Sequence, residues 1–200
     1  MVGVIEITKT ANEIRDALKN TVKAIDPIDG IESEHRKDAL EWIASGAEVY
    51  RIEKPDKPPK HFVSYVVPVD VENRLVLLVD HIKARLWLPP GGHVERNEFP
   101  DETARRECLE ELGITAEFLF GPKPFFITQA VTVGQTAGHT DVSLWYVIKM
   151  NSRKDVVYDK HEFNSIRWFG FEELMSVKRD DLDPHFIRFM RKLQNHLALQ

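Results

Sequence analysis

The chain has 200 residues, an apolar fraction of 42% and a formal net charge of -5, which suit one globular domain, with or without an appendage. Because proteins that bind nucleic acid generally carry a basic face, this charge argues against nucleic acid as an obligate partner. A single cysteine excludes an intrachain disulfide and a multi-cysteine zinc site, and it fits a reducing compartment.

The N-terminal quarter of the chain predicts two helices. Residues 1–10 include an acidic residue and no long apolar run, unlike a signal peptide, and no stretch of the chain approaches the ~20 apolar residues of a membrane span. We therefore expect a cytoplasmic protein without a membrane partner. A second helix is expected over residues 33–45. Apolar residues at helical spacing predict the first helix: Ile14, Leu18, Val22 and Ile25.

Residues 54–60 contain three prolines and three lysines and predict an exposed connector. We place the domain boundary there, with an N-terminal helical extension over residues 1–53 and the main domain over residues 61–200. Three roles stay open for the extension: it covers a cleft, it forms a homodimer contact, or it only packs on the main domain.

The main domain predicts a mixture of strands and helices. A helix is expected over residues 101–112, where Gly113 ends it, and two more near residues 171–177 and 184–197. This mixture favours an α/β/α sandwich with helices on both faces of a mixed sheet. Strands are expected at 62–69, 75–79 and 86–88, and near 118–120, 125–128, 142–148 and 166–169.

The helix expected over residues 101–112 contains the candidate metal-binding residues. Glu107, Glu110 and Glu111 stand at positions i, i+3 and i+4, and therefore share one helical face. Adjacent carboxylates repel each other, so this arrangement suits a helix that binds a cation, although glutamates on a helix are usually only a solvated face. Mg²⁺ and Mn²⁺ prefer oxygen ligands and bridge carboxylates to phosphates.

The loop before this helix favours the metal-binding interpretation. Gly91 and Gly92 allow the backbone to approach a metal ion or a phosphate closely. Arg106 is able to pair with Glu98 or Glu95 and brace the loop against the helix.

These residues match a known pattern in both type and spacing. The segment from Gly92 to Ile114 resembles the Nudix box through the following residues: Gly92, Glu98, Arg106, Glu107, Glu110, Glu111, Gly113 and Ile114. The order of strands around it also resembles the Nudix domain. Cys108 stands where the family has a bulky aliphatic residue, and we expect it to pack in the core rather than act as a nucleophile.

The resemblance implies a hydrolase that cleaves a phosphoanhydride in a nucleoside diphosphate linked to X, with Mg²⁺ or Mn²⁺ as cofactor. Glu110 and Glu111 would bind the metal together with the Gly91 carbonyl, and Glu107 would be a further ligand or the general base. Glu98 and Arg106 would form the bracing pair. A nucleoside di- or triphosphate is the expected substrate, with ADP-ribose or a nucleotide sugar as the alternative.

Other classes on this fold are an isopentenyl diphosphate isomerase and a non-catalytic nucleotide-binding domain. The isomerase chemistry needs a protonating cysteine, and Cys108, the single cysteine of the sequence, stands in the wrong place for it. Non-catalytic Nudix domains usually lose box glutamates, and this chain retains them.

Several residues outside the box are further candidates. Glu162, at the end of a polar loop, is expected to be an extra metal ligand or the base, with Asp141 as its rival. His93, Trp87 and Asp141 are expected near the substrate; the alternatives are a surface position for His93, a core position for Trp87, and strand capping and pairing for Asp141. The spacings of a last group match no zinc motif: His81, His93, His139 and His161.

Overall fold

The computed structural model describes residues 11–54, 57–136, 138–176 and 180–199. No helix in these ranges is long and apolar enough to cross a membrane. The helices are α1 (Ala11–Lys23), α2 (Gly30–Ala44), α3 (Pro100–Leu112), α4 (Phe171–Ser176) and α5 (Phe186–Ala198). The strands are β1 (Lys60–Asp70), β2 (Leu75–His81), β3 (Leu86–Leu88), β4 (Gly91–His93), β5 (Phe126–Val131), β6 (Thr140–Lys149) and β7 (Phe163–Gly170).

The strands form one mixed sheet. Its main path runs β3–β2–β1–β6–β5, while β4 pairs with β1 and β7 pairs with β2. The long central strands β1 and β6 are parallel, from Lys60 beside Thr140 to Val69 beside Lys149, and the other strand pairs are antiparallel. This pairing brings the starts of β1 and β6 to the same edge of the sheet.

The two faces of the sheet belong to separate hydrophobic cores. Successive side chains of a strand point to opposite faces, so Phe62 and Val66 of β1 join one core and Val67 and Val69 join the other. Helices α1, α2 and α3 contribute to the first core, and α4 and α5 to the second. The expected α/β/α sandwich is therefore confirmed.

The two N-terminal helices pack on the same core as α3. The residues that predicted α1 are all buried there, and Ala39 and Ile43 of α2 join them. The backbone N–H of Phe62 also donates to the carbonyl of Val49, 3.0 Å away, which ties the end of this region to β1. The division of the chain at residues 54–60 stays a prediction.

Two local expectations were wrong. The expected strand over residues 118–120 is reduced to a single bridge between Phe118 and Ile148, after which the chain turns at Gly121 with φ near +80°. In contrast, Gly91 and Gly92 were expected in a loop but belong to β4, which pairs with Val63, Ser64 and Tyr65 of β1.

Candidate active site

Helix α3 is fixed at both ends, which sets the positions of its glutamates. Glu102 accepts a hydrogen bond from the Phe99 backbone N–H at 2.7 Å, and Pro100 begins the helix. Gly113 ends it in the left-handed conformation, with φ of +64°. Ala104 and Cys108 are fully buried against the sheet. Burial raises the pKa of the Cys108 thiol to about 12, as expected for a core residue.

The three glutamates differ in exposure. Glu107 and Glu111 are buried, whereas the side chain of Glu110 is 58% exposed. Burial raises the pKa of Glu107 to about 7, despite the neighbouring Arg106. Burial also raises the pKa of Glu111 to about 9, and the charge of Glu107 adds to the increase. A bound cation would offset this cost of placing two carboxylates together away from water.

Strand β4 passes close to β1 at Gly91 and close to α3 at Gly92. A Cβ atom on Gly92 would lie 2.1 Å from Oε1 of Glu107. A Cβ atom on Gly91 would lie 2.1 Å from the Ser64 carbonyl oxygen, and Gly91 also has φ of +144°. The Gly91 backbone N–H donates to Glu111 Oε2 at 2.6 Å. The glycines therefore place the β4 backbone directly beside the two buried carboxylates.

Arg106 joins α3 to the loop after β4. Its Nε donates to Glu98 Oε1 at 2.9 Å and its second terminal nitrogen to Glu98 Oε2 at 3.0 Å, so the pair is bidentate. The same guanidinium contacts Glu107 at 2.7 Å, Glu110 at 3.0 Å and the His93 carbonyl at 3.3 Å. The hydrogen bond to Glu98 is the main reason that the pKa of Arg106 lies well above its usual range, and the charge of Glu107 adds to the effect.

The loop after β6 brings Glu162 toward the same site. The Asp159 backbone N–H donates to the Glu111 carbonyl at 3.0 Å, and the Ile82 N–H donates to the Glu162 carbonyl at 2.9 Å. The Glu162 carboxylate is close enough to contribute to the raised pKa of both Glu107 and Glu111. The structure therefore places Glu162 near the two buried glutamates, and its role as an extra metal ligand or the base stays a prediction.

This donor set fits a hard divalent cation. Glu107 and Glu111 offer buried carboxylate oxygens, Glu110 offers an exposed one, and Glu162 lies nearby. Such oxygen donors are those that Mg²⁺ and Mn²⁺ prefer. The missing side chains of Gly91 and Gly92 leave the required space at the backbone.

The three residues expected near the substrate fall in two places. Trp87 is half-buried, and its ring packs edge-on against Phe169 with centroids 5.2 Å apart. The side chains of His93 and Asp141 lie together instead, with Nε2 of His93 3.8 Å from Oδ1 of Asp141. Of the four histidines whose spacings match no zinc motif, His93 and His139 meet in this second place.

Sequence reasoning missed two residues of this region. His61 is fully buried at the start of β1 and lies beside Asp141, its partner residue in β6. Only the parallel pairing of β1 and β6 reveals this neighbour. Arg51 is the second, and its guanidinium lies 3.4 Å from Nε2 of His93. It borders an open cleft of about 300 Å³ that is also lined by Lys54, Glu95 and Arg96.

Comparison with known proteins places this architecture in a family. The model of the NUDIX domain matches residues 54–193. An RNA pyrophosphohydrolase of Gluconacetobacter diazotrophicus is 25% identical over 109 residues, which cover 48% of this chain and 65% of that protein. The match therefore spans less than two thirds of that relative.

Solved structures of low sequence identity share the fold. A NUDIX-family hydrolase from Clostridium perfringens matches with a TM-score of 0.54 and 24% identity, over 68% of this chain and 97% of its own. A MutT/nudix family protein from Enterococcus faecalis matches with a TM-score of 0.53 and 16% identity, over 91% of this chain and 73% of its own. With the family model covering most of the chain, this protein belongs to the NUDIX family.

Proposed function

We propose that this protein hydrolyses a phosphoanhydride bond in a nucleoside diphosphate linked to X, with Mg²⁺ as its cofactor and Mn²⁺ as a substitute. The observation that carries the proposal is the contact of Glu107 and Glu111 with the glycine backbone of β4. The relative named an RNA pyrophosphohydrolase supports the same reaction class. The substrate that we propose is a nucleoside di- or triphosphate.

In this proposal Glu107, Glu110 and Glu111 would hold the cation, and the Gly91 carbonyl would be a backbone ligand. When bound, the cation supplies neutralisation of phosphate charge and eases the ionisation of water. Arg106 fixes the position of the loop relative to the helix through its bidentate pair with Glu98. Precise placement of this kind is worth several kcal/mol in a hydrolytic reaction, because it removes the entropy cost of aligning the groups.

Glu162 is the residue that we assign as the general base. It directly precedes β7, and its charge acts on Glu107 and Glu111 from outside the helix that carries them. A base at this position would take a proton from the attacking water, which typically accelerates such a step ~10²- to 10⁴-fold.

A substrate panel tests both parts of the proposal. The purified protein is incubated with Mg²⁺ and with nucleoside di- and triphosphates, ADP-ribose, nucleotide sugars and dinucleoside polyphosphates, and the products are identified. Reaction in ¹⁸O-labelled water shows which phosphorus atom is attacked. We expect the highest kcat/KM on a nucleoside di- or triphosphate, with the label in a phosphate product.

Faster hydrolysis of ADP-ribose or a nucleotide sugar would contradict the proposed substrate and leave the reaction class intact. Failure of folded protein to hydrolyse any member of the panel, with either Mg²⁺ or Mn²⁺, would contradict the reaction class as well.

A further inference from the structure

Four side chains outside the glutamate site converge on one point. His61 and Asp141 stand next to each other on β1 and β6, His93 is the last residue of β4, and His139 directly precedes β6. One ligand atom of each residue lies within 4.8 Å of the others. We propose that these four residues, His61, His93, His139 and Asp141, form a second metal site, which binds a transition-metal dication of the Zn²⁺ type.

The distances between the ligand atoms carry the proposal. Nε2 of His61 and Nε2 of His139 each lie 3.3 Å from Oδ1 of Asp141, and Nε2 of His93 lies 3.8 Å from it. A tetrahedral zinc ion with bonds of 2.0–2.1 Å separates its ligand atoms by about 3.3 Å. Two of the three distances to Asp141 equal this value, and the four ligand atoms as a group, which lie within 4.8 Å of one another, would contract to surround an ion.

The hydrogen bonding of the buried atoms points to a missing ligand. Across the described residues, Nε2 of His61 and Oδ1 of Asp141 have no hydrogen-bond partner of good geometry, although they are close together. His61 is fully buried, where an unpaired polar atom is costly. A metal ion bound between the two atoms would satisfy both.

The Nδ1 atoms of two of the histidines, which face away from the cluster, have polar partners that orient the rings. Nδ1 of His61 lies 2.9 Å from the Pro58 carbonyl oxygen, which only accepts hydrogen bonds, so this nitrogen carries the proton. Nε2 of His61 is then left with the lone pair that a metal requires. Nδ1 of His139 lies 3.2 Å from the Thr132 hydroxyl. Histidine ligands of metals characteristically have such outer contacts.

The donor types favour a different ion from the one at the glutamates. Three imidazole nitrogens and one carboxylate oxygen suit Zn²⁺, Co²⁺ or Ni²⁺, whereas Mg²⁺ prefers oxygen donors alone. His93 is the adjustable ligand, because the Arg51 guanidinium shares its Nε2 atom at 3.4 Å and would have to move aside. The other three ligands are more deeply buried, with side-chain exposures of 0%, 4% and 15%.

A bound ion would connect this site to the glutamate site through β4. The His93 side chain belongs to the cluster, while its carbonyl oxygen accepts from Arg106 and its neighbour Gly92 faces Glu107. The ion would thereby fix β4 to β1 and β6, and we expect Zn²⁺ to raise the Tm of the protein because only the folded chain assembles the ligands.

Cobalt titration of the metal-free full chain tests the proposal without an activity assay. Performed in excess Mg²⁺, it is expected to give one equivalent of bound Co²⁺ with the intense visible absorption of tetrahedral coordination, which Zn²⁺ abolishes by displacement. Asp141→Asn and His93→Gln should weaken Co²⁺ binding by more than about 100-fold, which exceeds the loss typical of an outer-shell change. His161→Gln is the matched control, because this exposed histidine lies outside the cluster.

Glu111→Gln separates the two sites, and we expect it to keep the cobalt spectrum. Loss of the spectrum in Glu111→Gln with its retention in Asp141→Asn would overturn the proposal, as would the absence of Co²⁺ binding in excess Mg²⁺. Nitrogen-15 NMR of the wild-type histidine rings covers the case in which a variant fails to fold. Zn²⁺ should shift Nε2 of the cluster histidines, and unchanged Nε2 signals would also overturn the assignment.

Discussion

At the scale of single residues, the Arg106 side chain holds the glutamates of the site in position through its hydrogen bonds. It is 27% exposed and contacts four acceptor groups, of which Glu98 forms the bidentate pair. Because the pair lies between surface and core, water screens its attraction less, and it stabilises the folded state more than an exposed pair would.

We predict that Arg106→Ala lowers both stability and activity. Loss of the partner of Glu98 should cost about 2 kcal/mol, between the values for exposed and buried pairs. For a domain of this size, that corresponds to a decrease in Tm of roughly 4–8 °C. A double-mutant cycle with Glu98→Gln, read by thermal unfolding, checks whether the cost belongs to the pair. Additive effects of the two changes would remove the bracing role.

The role of Glu162 is tested by Glu162→Gln, which keeps the size of the side chain and removes its charge. We expect kcat to decrease ~10²- to 10⁴-fold with little change in KM, as for loss of a base. The pH profile in saturating Mg²⁺ should also lose its acidic limb. Asp155→Asn, in an exposed position of the same loop, is the control. An unaltered rate and pH profile in Glu162→Gln would eliminate it as the base.

At the scale of secondary structure elements, β4 lies between β1 and the glutamates of α3 and contacts both. This strand has three residues, and two of them are glycines that meet different neighbours. The neighbour of Gly91 is the backbone of β1, whereas the neighbour of Gly92 is the movable carboxylate of Glu107.

Alanine substitutions should therefore have different effects at the two glycines. Gly91→Ala would place Cβ against the Ser64 carbonyl in a left-handed conformation, so we expect a clear loss of Tm. Gly92→Ala would displace Glu107, so we expect a loss of turnover with a much smaller change in Tm. Gly30→Ala, which meets nothing within 4 Å, is the control for both measurements. Equal Tm losses at Gly91 and Gly92 would contradict this difference.

The elements differ in how far the sequence predicts them. Helix α3 was predicted almost to the residue, and Gly113 marks its end. Strand β4 was missed, since Gly91-Gly92-His93 has no strand propensity of its own and is extended only by pairing with β1. The approach of His61 to Asp141 also escaped prediction, because it depends on the register of two strands far apart in the chain.

At the scale of the whole molecule, polar contacts connect the start of α2 to α5. Asp29 begins α2 by accepting from the Glu32 N–H at 2.8 Å, and it also pairs with Arg188 of α5 at 2.6 and 2.9 Å. Glu32 is fully buried and pairs with Lys192 of α5 at 2.7 Å. These contacts favour a helical region that is part of the folded molecule.

The pairing of Asp29 predicts a dependence of stability on acid pH. The hydrogen bond from Arg188 is the main reason that the pKa of Asp29 falls from 3.8 to about 2. A lowered pKa stabilises the folded state above pH 3.8, and this contribution is lost as the pH falls from 3.8 through 2. Because the Asp29 side chain is 38% exposed, solvent screening limits the effect to at most about 1 kcal/mol.

Asp29→Asn should keep the helix cap and remove this charge pair. Urea unfolding of the two proteins across that pH range is the measurement, and their difference in stability should shrink toward zero as the pH falls. A difference that stays constant with pH would show that the pair contributes nothing through the charge of Asp29.

The central claim is that the α3 glutamates hold the catalytic cation. The most direct test is the Mg²⁺-dependent kcat of Glu110→Gln and Glu111→Gln on the best substrate, with the exposed Glu117→Gln as control and circular dichroism to verify folding. We predict a loss of at least about 100-fold in each of the two variants, or about 2.7 kcal/mol of transition-state stabilisation, and an unchanged rate in the control. Near-normal Mg²⁺-dependent turnover in Glu110→Gln or Glu111→Gln would contradict the claim for that residue.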